Sequence, residues 1–190
     1  MADGFHVRLA LFGVSCVGKT TVGQIMADHL NYTFVDFDHA VNARMNTTIA
    51  ALKRACVTEY QYRQTVKPIL EEILDEYRED LILAMPPSGL FHPYKKVFDR
   101  QADVVSVWLS DKAENIFDRL MFTDDDDNLI EEDVITPDNE RHYREVVKND
   151  IAYYYDTLRK ARVKFDIKGR DANQTALALI ELLLGTDQTI

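Results

Sequence analysis

The sequence of 190 residues lacks the features that mark several large classes of protein. Its 2 cysteines, Cys16 and Cys56, cannot by themselves form a disulfide framework or a four-ligand zinc site. No apolar run approaches the roughly 20 residues that a membrane-spanning helix needs. Residues 1–8 lack a basic segment followed by a long apolar one, so we expect no secretory signal. These absences predict a soluble, cytoplasmic protein with no membrane partner.

Basic residues are also scarce, since 22 Lys and Arg stand against 32 Asp and Glu, for a formal net charge of −10. Proteins that bind nucleic acids need clustered positive charge to contact the phosphates, so we expect no nucleic-acid partner. A local basic pocket can still hold a phosphate group. The net charge therefore does not exclude a nucleotide ligand.

Short apolar runs alternate along the chain with longer segments of helical periodicity. The runs are Val7–Phe12, Tyr32–Phe37, Leu81–Met85, Val104–Leu109 and Val163–Ile167. This alternation predicts an α/β fold with a parallel sheet covered by helices on both faces. At roughly 150 residues per domain, residues 1–190 fit a single domain. Two segments leave this rhythm, residues 39–64 and the acidic residues 121–145, and we interpret the second as a lid.

The most informative motif follows the first apolar run. Residues 13–20 fit the pattern G-x-x-x-x-G-K-[ST] of a phosphate-binding loop and stand between a strand and an amphipathic helix, as that motif requires. Its two glycines let successive N–H groups point inward toward a phosphate, and the following helix adds its positive end. We predict that Lys19 contacts the β- and γ-phosphates of ATP and that Thr20 contacts Mg²⁺. The predicted nucleotide-binding residues here are Gly13, Val14, Ser15, Cys16, Val17, Gly18, Lys19, Thr20 and Thr21.

Two carboxylates, Asp36 and Asp38, stand two residues apart at the end of the second apolar run. If strand geometry continues through both residues, their side chains point to the same side of the sheet. In a parallel sheet that position lies beside the phosphate loop. The alternative is that both carboxylates only cap a turn.

Together these motifs resemble the shikimate kinases and their small-molecule kinase relatives. That family has a phosphate loop running into Lys-Thr-Thr-Val-Gly, as in residues 19–23, and Phe-x-Asp-x-Asp at the end of the second strand, as in residues 34–38. The resemblance implies a three-layer α/β/α sandwich with a five-stranded parallel sheet, strand order 2-3-1-4-5, and a helical lid. It also implies phosphoryl transfer from ATP to a hydroxyl of a small anionic metabolite, with Lys19 and Asp38 catalytic. Asp36 would then hold Mg²⁺ through water, and Asp38 would bind the acceptor hydroxyl and accept its proton.

The resemblance extends to residues that would hold the acceptor and the adenine. Glu59, Tyr62 and Arg63 match a segment in which the family's Arg grips the substrate carboxylate. Residues 39–64 would then form a substrate-binding excursion. Arg119 and Arg170 lie near the family's adenine-contacting positions. For Arg63 the alternative is a surface residue at the start of an amphipathic helix, and for the other two it is a surface salt bridge.

The turn after the third apolar run departs from the family pattern. The family has Gly-Gly-Gly there, whereas residues 85–89 include Pro86 and Pro87, which have no N–H to donate. This loop therefore cannot present the same donors as the family's turn, and the sequence leaves the acceptor open between shikimate and another hydroxylated acid.

The lid also departs, because residues 124–127 are four aspartates where the family has an Arg that contacts the transferring phosphate. Arg141 and Arg144 are then the cationic candidates for closing on the phosphate and the substrate.

Two further hypotheses stand beside the small-molecule kinase. A nucleotide or nucleoside kinase would need an arginine-rich lid, which the acidic lid disfavours. A nucleotide-binding protein of the same fold with lost or changed activity is favoured by the proline-containing turn and the missing lid Arg. A shared scaffold fixes the position of a site better than its substrate. The sequence does not determine the oligomeric state.

Overall fold

Strands and helices alternate along the residues that the computed structural model describes, which are 6–124, 128–130 and 134–186. The elements within these residues are β1 (Arg8–Phe12), α1 (Lys19–Leu30), β2 (Thr33–Asp36), α2 (Phe37–Met45), α3 (Ile49–Ala55), α4 (Glu59–Glu76), β3 (Leu81–Ala84), α5 (Tyr94–Phe98), β4 (Val104–Ser110), α6 (Ala113–Phe117), α7 (Glu140–Leu158), β5 (Val163–Asp166) and α8 (Ala172–Thr186).

The five strands form one parallel sheet in the order β2-β3-β1-β4-β5, which confirms the predicted fold class and strand order. In the central strand β1, Leu9 pairs with Ile82 of β3 and with Val105 of β4. All five residues of β1 are buried, as expected for a parallel strand with helices on both faces. The carboxyl ends of β1, β2 and β4 therefore meet at one edge of the sheet, where the loops with the predicted site residues begin.

The core is built from this sheet and the apolar sides of the helices around it. Helix α1 packs against α8 and against β2 and β3. Helix α4 buries a continuous stripe that includes Val66, Leu70 and Ile73, each with 0% of its surface exposed. This burial holds α1 and α4 at fixed positions relative to the strand ends, at about 25 cal/mol per Å² of apolar surface removed from water. No helix in the described part of the chain has the length and apolar character needed to cross a membrane.

The two segments that interrupt the alternation are structured differently. Residues 39–64 are mostly helical, since they contain most of α2, all of α3 and the start of α4. In residues 121–145, Thr123 forms an isolated antiparallel bridge with Leu129, and the first helix among the described residues is α7, from Glu140. The helical part of the predicted lid is thus confined to residues 140–145 there. Three aspartates of the acidic run, 125–127, and residues 131–133 lie outside the described residues.

Candidate active site

The loop between β1 and α1 has the tight backbone that the phosphate-loop motif predicts. Gly13 has φ +155°, and a Cβ atom there would lie 2.6 Å from the carbonyl oxygen of Leu109 in β4, so a larger residue cannot be placed without moving the strand. Gly18, the N-cap of α1, has φ +107°, a conformation that favours glycine. Val14 and Val17 are buried and anchor the loop in the core. The loop is therefore held rigidly beside the amino end of α1.

The side chain of Lys19 folds back over this loop. Its Nζ donates hydrogen bonds to the carbonyl oxygens of Gly13, at 3.1 Å, and Val14, at 2.9 Å. Burial lowers the pKa of Lys19 to about 8, although the nearby carboxylates of Asp38 and Asp36 oppose this shift. The ammonium group is thus largely charged at neutral pH and lies across the concave side of the loop.

Asp36 ends β2 and connects two helices. Its Oδ2 accepts a hydrogen bond from Oγ1 of Thr20 at 2.7 Å, and its Oδ1 accepts from the backbone N–H groups of Asp38 and His39 at 3.1 and 3.3 Å. Asp36 is therefore the N-cap of α2. The condition that strand geometry continues through Asp38 is not met, because this cap starts the helix at Phe37.

Asp38 lies in the first turn of α2, within electrostatic reach of the phosphate loop. Burial raises its pKa to about 6, and the charge of Asp36 adds to this effect, whereas Lys19, Lys53 and His39 oppose it. A carboxylate with a pKa just below neutrality is well suited to accept a proton from a hydroxyl group.

Thr20 and Asp36 supply two neighbouring oxygen ligands of the kind that Mg²⁺ prefers. Among the described residues there is no cluster of three or more His, Cys, Asp or Glu side chains able to hold a metal ion. Mg²⁺ commonly keeps several water molecules and is held by one or two carboxylates together with substrate phosphates. The pair therefore fits Mg²⁺ that arrives with a nucleotide.

A cleft of about 520 Å³ extends from the phosphate loop toward the carboxyl ends of β4 and β5. Arg119 and Arg170, the two predicted adenine contacts, both line it. It is lined by Cys16, Val17, Gly18, Lys19, Thr20, Thr21, Val22, Asp118, Arg119, Leu120, Met121, Ile167, Arg170, Asp171, Ala172 and Thr175. The structure thus brings the phosphate loop and both arginines to one cavity.

Asp111, which our sequence analysis missed as a site residue, holds one side of this cleft. Its carboxylate, whose side chain is 0% exposed, accepts from Nη2 of Arg119 at 2.7 Å, from Nδ2 of Asn115 at 2.6 Å and from the N–H of Gly169 at 3.1 Å. Burial alone would raise the pKa of Asp111, but the hydrogen bonds from Asn115 and Arg119 outweigh it and lower the pKa. Its place directly after a parallel strand was the available signal.

Arg170 is fixed by the backbone of its own turn. Its Nη1 donates to the carbonyl oxygens of Asp166 at 3.2 Å and Ile167 at 3.0 Å, and its guanidinium lies 5.9 Å from the centre of the Phe165 ring. The planar group is thus held in place at the rim of the cleft.

Arg63 lies in the first turns of α4 and does not line the cleft. Its Nε donates to the carbonyl oxygen of His92 at 3.1 Å, its Nη1 lies 3.8 Å from Oε2 of Glu59, and its guanidinium is 5.6 Å from the centre of the Phe91 ring. With only 13% of its side chain exposed, it is not a free surface residue. These contacts direct it toward the turn that follows β3.

The turn of residues 85–93 uses two of its backbone donors internally. The N–H of Gly89 donates to the carbonyl of Pro86 at 2.8 Å, and the N–H of Phe91 donates to that of Ser88 at 2.8 Å. Since Pro86 and Pro87 have no N–H, these four residues offer no backbone donor to a ligand.

The two predicted lid arginines do not join the other residues in the cleft. Nε of Arg144 forms an ion pair with Oε1 of Glu140 at 2.7 Å, and its guanidinium lies 3.9 Å from the centre of the Phe117 ring. Arg141 is exposed near the start of α7. Neither lines the cleft, so their role in closing on a phosphate stays a prediction.

Comparison with known proteins adds two similar sequences and a similar structure. The chain is 29% identical over 113 residues to Shikimate kinase 2 of Photorhabdus laumondii subsp. laumondii, covering 60% of this chain and 62% of that protein. It is 35% identical over 79 residues to the pentafunctional AROM polypeptide of Schizosaccharomyces japonicus, covering 42% of this chain and 5% of that protein. The chain thus matches less than two thirds of the length of these curated relatives.

One solved structure with a similar fold is that of a shikimate kinase from Acinetobacter baumannii in complex with shikimate. Its fold matches with a TM-score of 0.73 and 22% identity over 97% of each chain. A family model described as Shikimate kinase matches residues 15–183, which include Lys19, Thr20, Asp36, Asp38 and Arg63. Because this match spans most of the sequence, the chain belongs to the shikimate kinase family.

Proposed function

We propose that the chain transfers the γ-phosphoryl group of ATP to a hydroxyl of a small anionic metabolite, shikimate or a closely similar hydroxylated acid. Membership in the family and the shikimate bound to the Acinetobacter baumannii relative support this assignment. The observation that carries it is the convergence of Lys19, the Thr20–Asp36 pair and Asp38 at the carboxyl ends of β1 and β2.

Lys19 stabilises the negative charge that develops on the transferring phosphoryl group. Its ammonium spans the carbonyl groups of Gly13 and Val14, so it leaves these two acceptors for phosphate oxygens when a nucleotide binds. Phosphoryl transfer depends chiefly on such positioning and charge stabilisation, because the protein forms no covalent bond with the phosphoryl group. Mg²⁺ at Thr20 and Asp36 would neutralise further charge on the phosphates.

Asp38 orients the acceptor hydroxyl and takes its proton as the oxygen attacks the phosphorus. Its pKa of about 6 leaves it mostly ionised at neutral pH and still basic enough to receive a proton. Its position in the first turn of α2 is set by the Asp36 cap, so the proton acceptor and the magnesium ligand are held in a fixed relation.

Some of the predicted site arginines contact ATP and others contact the acceptor. Arg119, held by Asp111, and Arg170 flank the adenine in the cleft, where a planar guanidinium suits the face of a purine. Arg63 binds the carboxylate of the acceptor through two parallel hydrogen bonds. Arg141 and Arg144 approach the phosphate and the acceptor when the segment 121–145 closes.

We expect replacement of Arg63 by Ala to raise the KM for the acceptor by about 10- to 100-fold with a smaller change in kcat, since it removes a charged, two-pronged contact. Arg63→Lys keeps the positive charge but loses the planar guanidinium, so its KM for the acceptor should lie between the wild-type value and that of Arg63→Ala. Steady-state kinetics with varied acceptor gives both values. Arg44→Ala is the matched control, because Arg44 lies near the end of α2 and pairs with Glu72 and Glu76 near the end of α4. An unchanged acceptor KM in Arg63→Ala would remove this residue from the acceptor site.

Acceptor-dependent ADP release from ATP and Mg²⁺ tests the proposed function directly. We expect turnover with shikimate or another hydroxylated acid such as gluconate, and none with nucleoside monophosphates. Turnover with nucleoside monophosphates alone would identify a nucleotide kinase. Tight ATP binding in calorimetry without ADP release for any acceptor would identify a binding protein that has lost the reaction.

A further inference from the structure

Tyr94 carries a buried hydroxyl with no hydrogen-bond partner among the residues that the structure describes. The residue is 0% exposed and opens the short helix α5. Burying a hydroxyl without a partner costs free energy, whereas phenylalanine would fill the same space without that cost. The hydroxyl thus lowers the stability of the free protein, which points to a use for it in another state of the protein.

The surroundings of this hydroxyl belong to the acceptor side of the proposed active site. The ring of Tyr94 packs edge-on against Phe37, with ring centres 5.5 Å apart, and Phe37 directly precedes Asp38. The titratable groups that face Tyr94 are Tyr62, Arg63 and Glu59 from α4 and Asp38 from α2. Burial, followed by the influence of Tyr62 and Asp38, raises the pKa of Tyr94, so the group keeps its proton and remains a hydrogen-bond donor.

Tyr94 also follows directly on residues 85–93, the turn after β3. The N–H groups of Gly89 and Phe91 are used within that turn, and Pro86 and Pro87 have none. Tyr94 thus supplies a side-chain donor directly after four residues that offer no backbone donor.

Asp38 can use such a donor in the proposed reaction. Phe37, against which the ring of Tyr94 packs, directly precedes Asp38, so the two side chains lie on neighbouring parts of the structure. A hydroxyl that donates to one oxygen of a carboxylate fixes its orientation and leaves the other oxygen to accept from the acceptor hydroxyl.

We propose that Tyr94 is a positioning residue whose hydroxyl donates a hydrogen bond to the carboxylate of Asp38 when ATP and the acceptor are bound. This role rests on the proposed function of Asp38. It orients the carboxylate toward the acceptor hydroxyl. In the free protein this hydroxyl has no partner among the described residues, so the hydrogen bond is one that the complex would add.

The Tyr94→Phe variant tests this role. We expect kcat to fall about tenfold, the loss typical of one hydrogen bond to a charged group, and the KM for shikimate to change less than about twofold. A hydrogen bond to a carboxylate lowers its pKa, so its removal should move the acidic limb of the kcat profile to higher pH. The acidic limb of kcat/KM reports the free enzyme and should not move. The melting temperature without ligands should be equal to or above that of the wild type.

Tyr77→Phe is the matched control, since Tyr77 lies at the end of α4 and its hydroxyl bonds to Glu76. It should leave kcat and both pH profiles unchanged. A Tyr94→Phe enzyme with wild-type kcat and pH profiles overturns the positioning role alone, and so does a lowered melting temperature, which would reveal a structural partner. If the wild type releases no ADP with any acceptor, the proposed function fails and this inference fails with it.

Discussion

A Lys19→Ala variant is expected to lose turnover by about a thousandfold or more and to bind ATP·Mg²⁺ far more weakly than the wild type. The variant removes a positive charge that would act on the phosphates in a site largely shielded from water, where such interactions are strong. In the described structure, Nζ of Lys19 donates hydrogen bonds to the loop carbonyls of Gly13 and Val14. The fold should therefore tolerate the loss of this side chain. Calorimetry with ATP measures the affinity, and ADP release measures the turnover.

Lys67→Ala is the control for this variant, since Lys67 forms an i,i+4 ion pair with Glu71 in α4, away from the phosphate loop. It should retain full ATP affinity. Unchanged ATP affinity in Lys19→Ala, with a normal melting temperature, would contradict the phosphate-binding role of the loop.

Asp38→Asn is expected to reduce kcat by about a thousandfold while ATP affinity stays within a few fold of the wild type. The amide keeps the size of the side chain but cannot accept the proton, and general base catalysis of this kind contributes about 10²- to 10⁴-fold. Single-turnover ADP formation with saturating ATP and acceptor measures the chemical step. The result that would exclude Asp38 from the chemistry is an unchanged kcat in a variant that binds ATP normally.

The difference in melting temperature between Asp38→Asn and the wild type should depend on pH, and this dependence distinguishes the loss of the carboxylate from a folding defect. The folded protein raises the pKa of Asp38 from 3.8 to about 6, so folding favours the protonated form. This contribution to stability is complete below about pH 4 and is lost as the pH rises through 6. Asp38→Asn has no ionisable group at this position, so its stability does not fall in this way as the pH rises. Its melting temperature should therefore exceed the wild-type value at pH 8, and the difference should shrink toward pH 4.

The wild-type enzyme should show a bell-shaped dependence of kcat/KM on pH. The acidic limb should lie near pH 6, where Asp38 becomes ionised, and the alkaline limb near pH 8, where Lys19 loses its charge. The two groups interact, so both limbs describe the pair. In Asp38→Asn the acidic limb should disappear from the residual activity.

The sequence could predict the phosphate loop because every requirement of that loop is local. The strand before it, the helix after it and glycines at positions 13 and 18 all stand within about 20 residues. The strand order followed from the resemblance to the family, and the sheet confirms it.

The geometry of the carboxylate pair could not be predicted in the same way. A strand that continues and a helix that begins at Phe37 are both compatible with the residues around Asp36. The helix forms because one oxygen of Asp36 accepts from the N–H groups of Asp38 and His39 while the other accepts from Thr20, a residue of a different element. Side-chain capping across elements is a tertiary feature and leaves no periodic signal in the sequence.

The contacts of Asp111 and Arg144 also depend on the tertiary structure and could not be predicted from the sequence. Asp111 lies at the candidate site because it accepts hydrogen bonds from Arg119, eight positions away, and from Gly169 in the turn after β5. Arg144 packs on Phe117 and pairs with Glu140 because α7 starts at that glutamate. Charge and spacing in the sequence indicated Arg144 as an arginine near the lid, but the direction of its side chain depends on where α7 begins.

The two sets of contacts of Asp36 restrict how the proposed activity could be redesigned. One carboxylate joins the amino end of α1 to the start of α2, so we expect a substitution there to disturb the proposed nucleotide site and the proposed acceptor site together. Mutational libraries aimed at a new acceptor should therefore keep Asp36 constant and vary α3, the first turns of α4 and residues 85–93. Natural divergence of acceptor preference on this scaffold is subject to the same constraint.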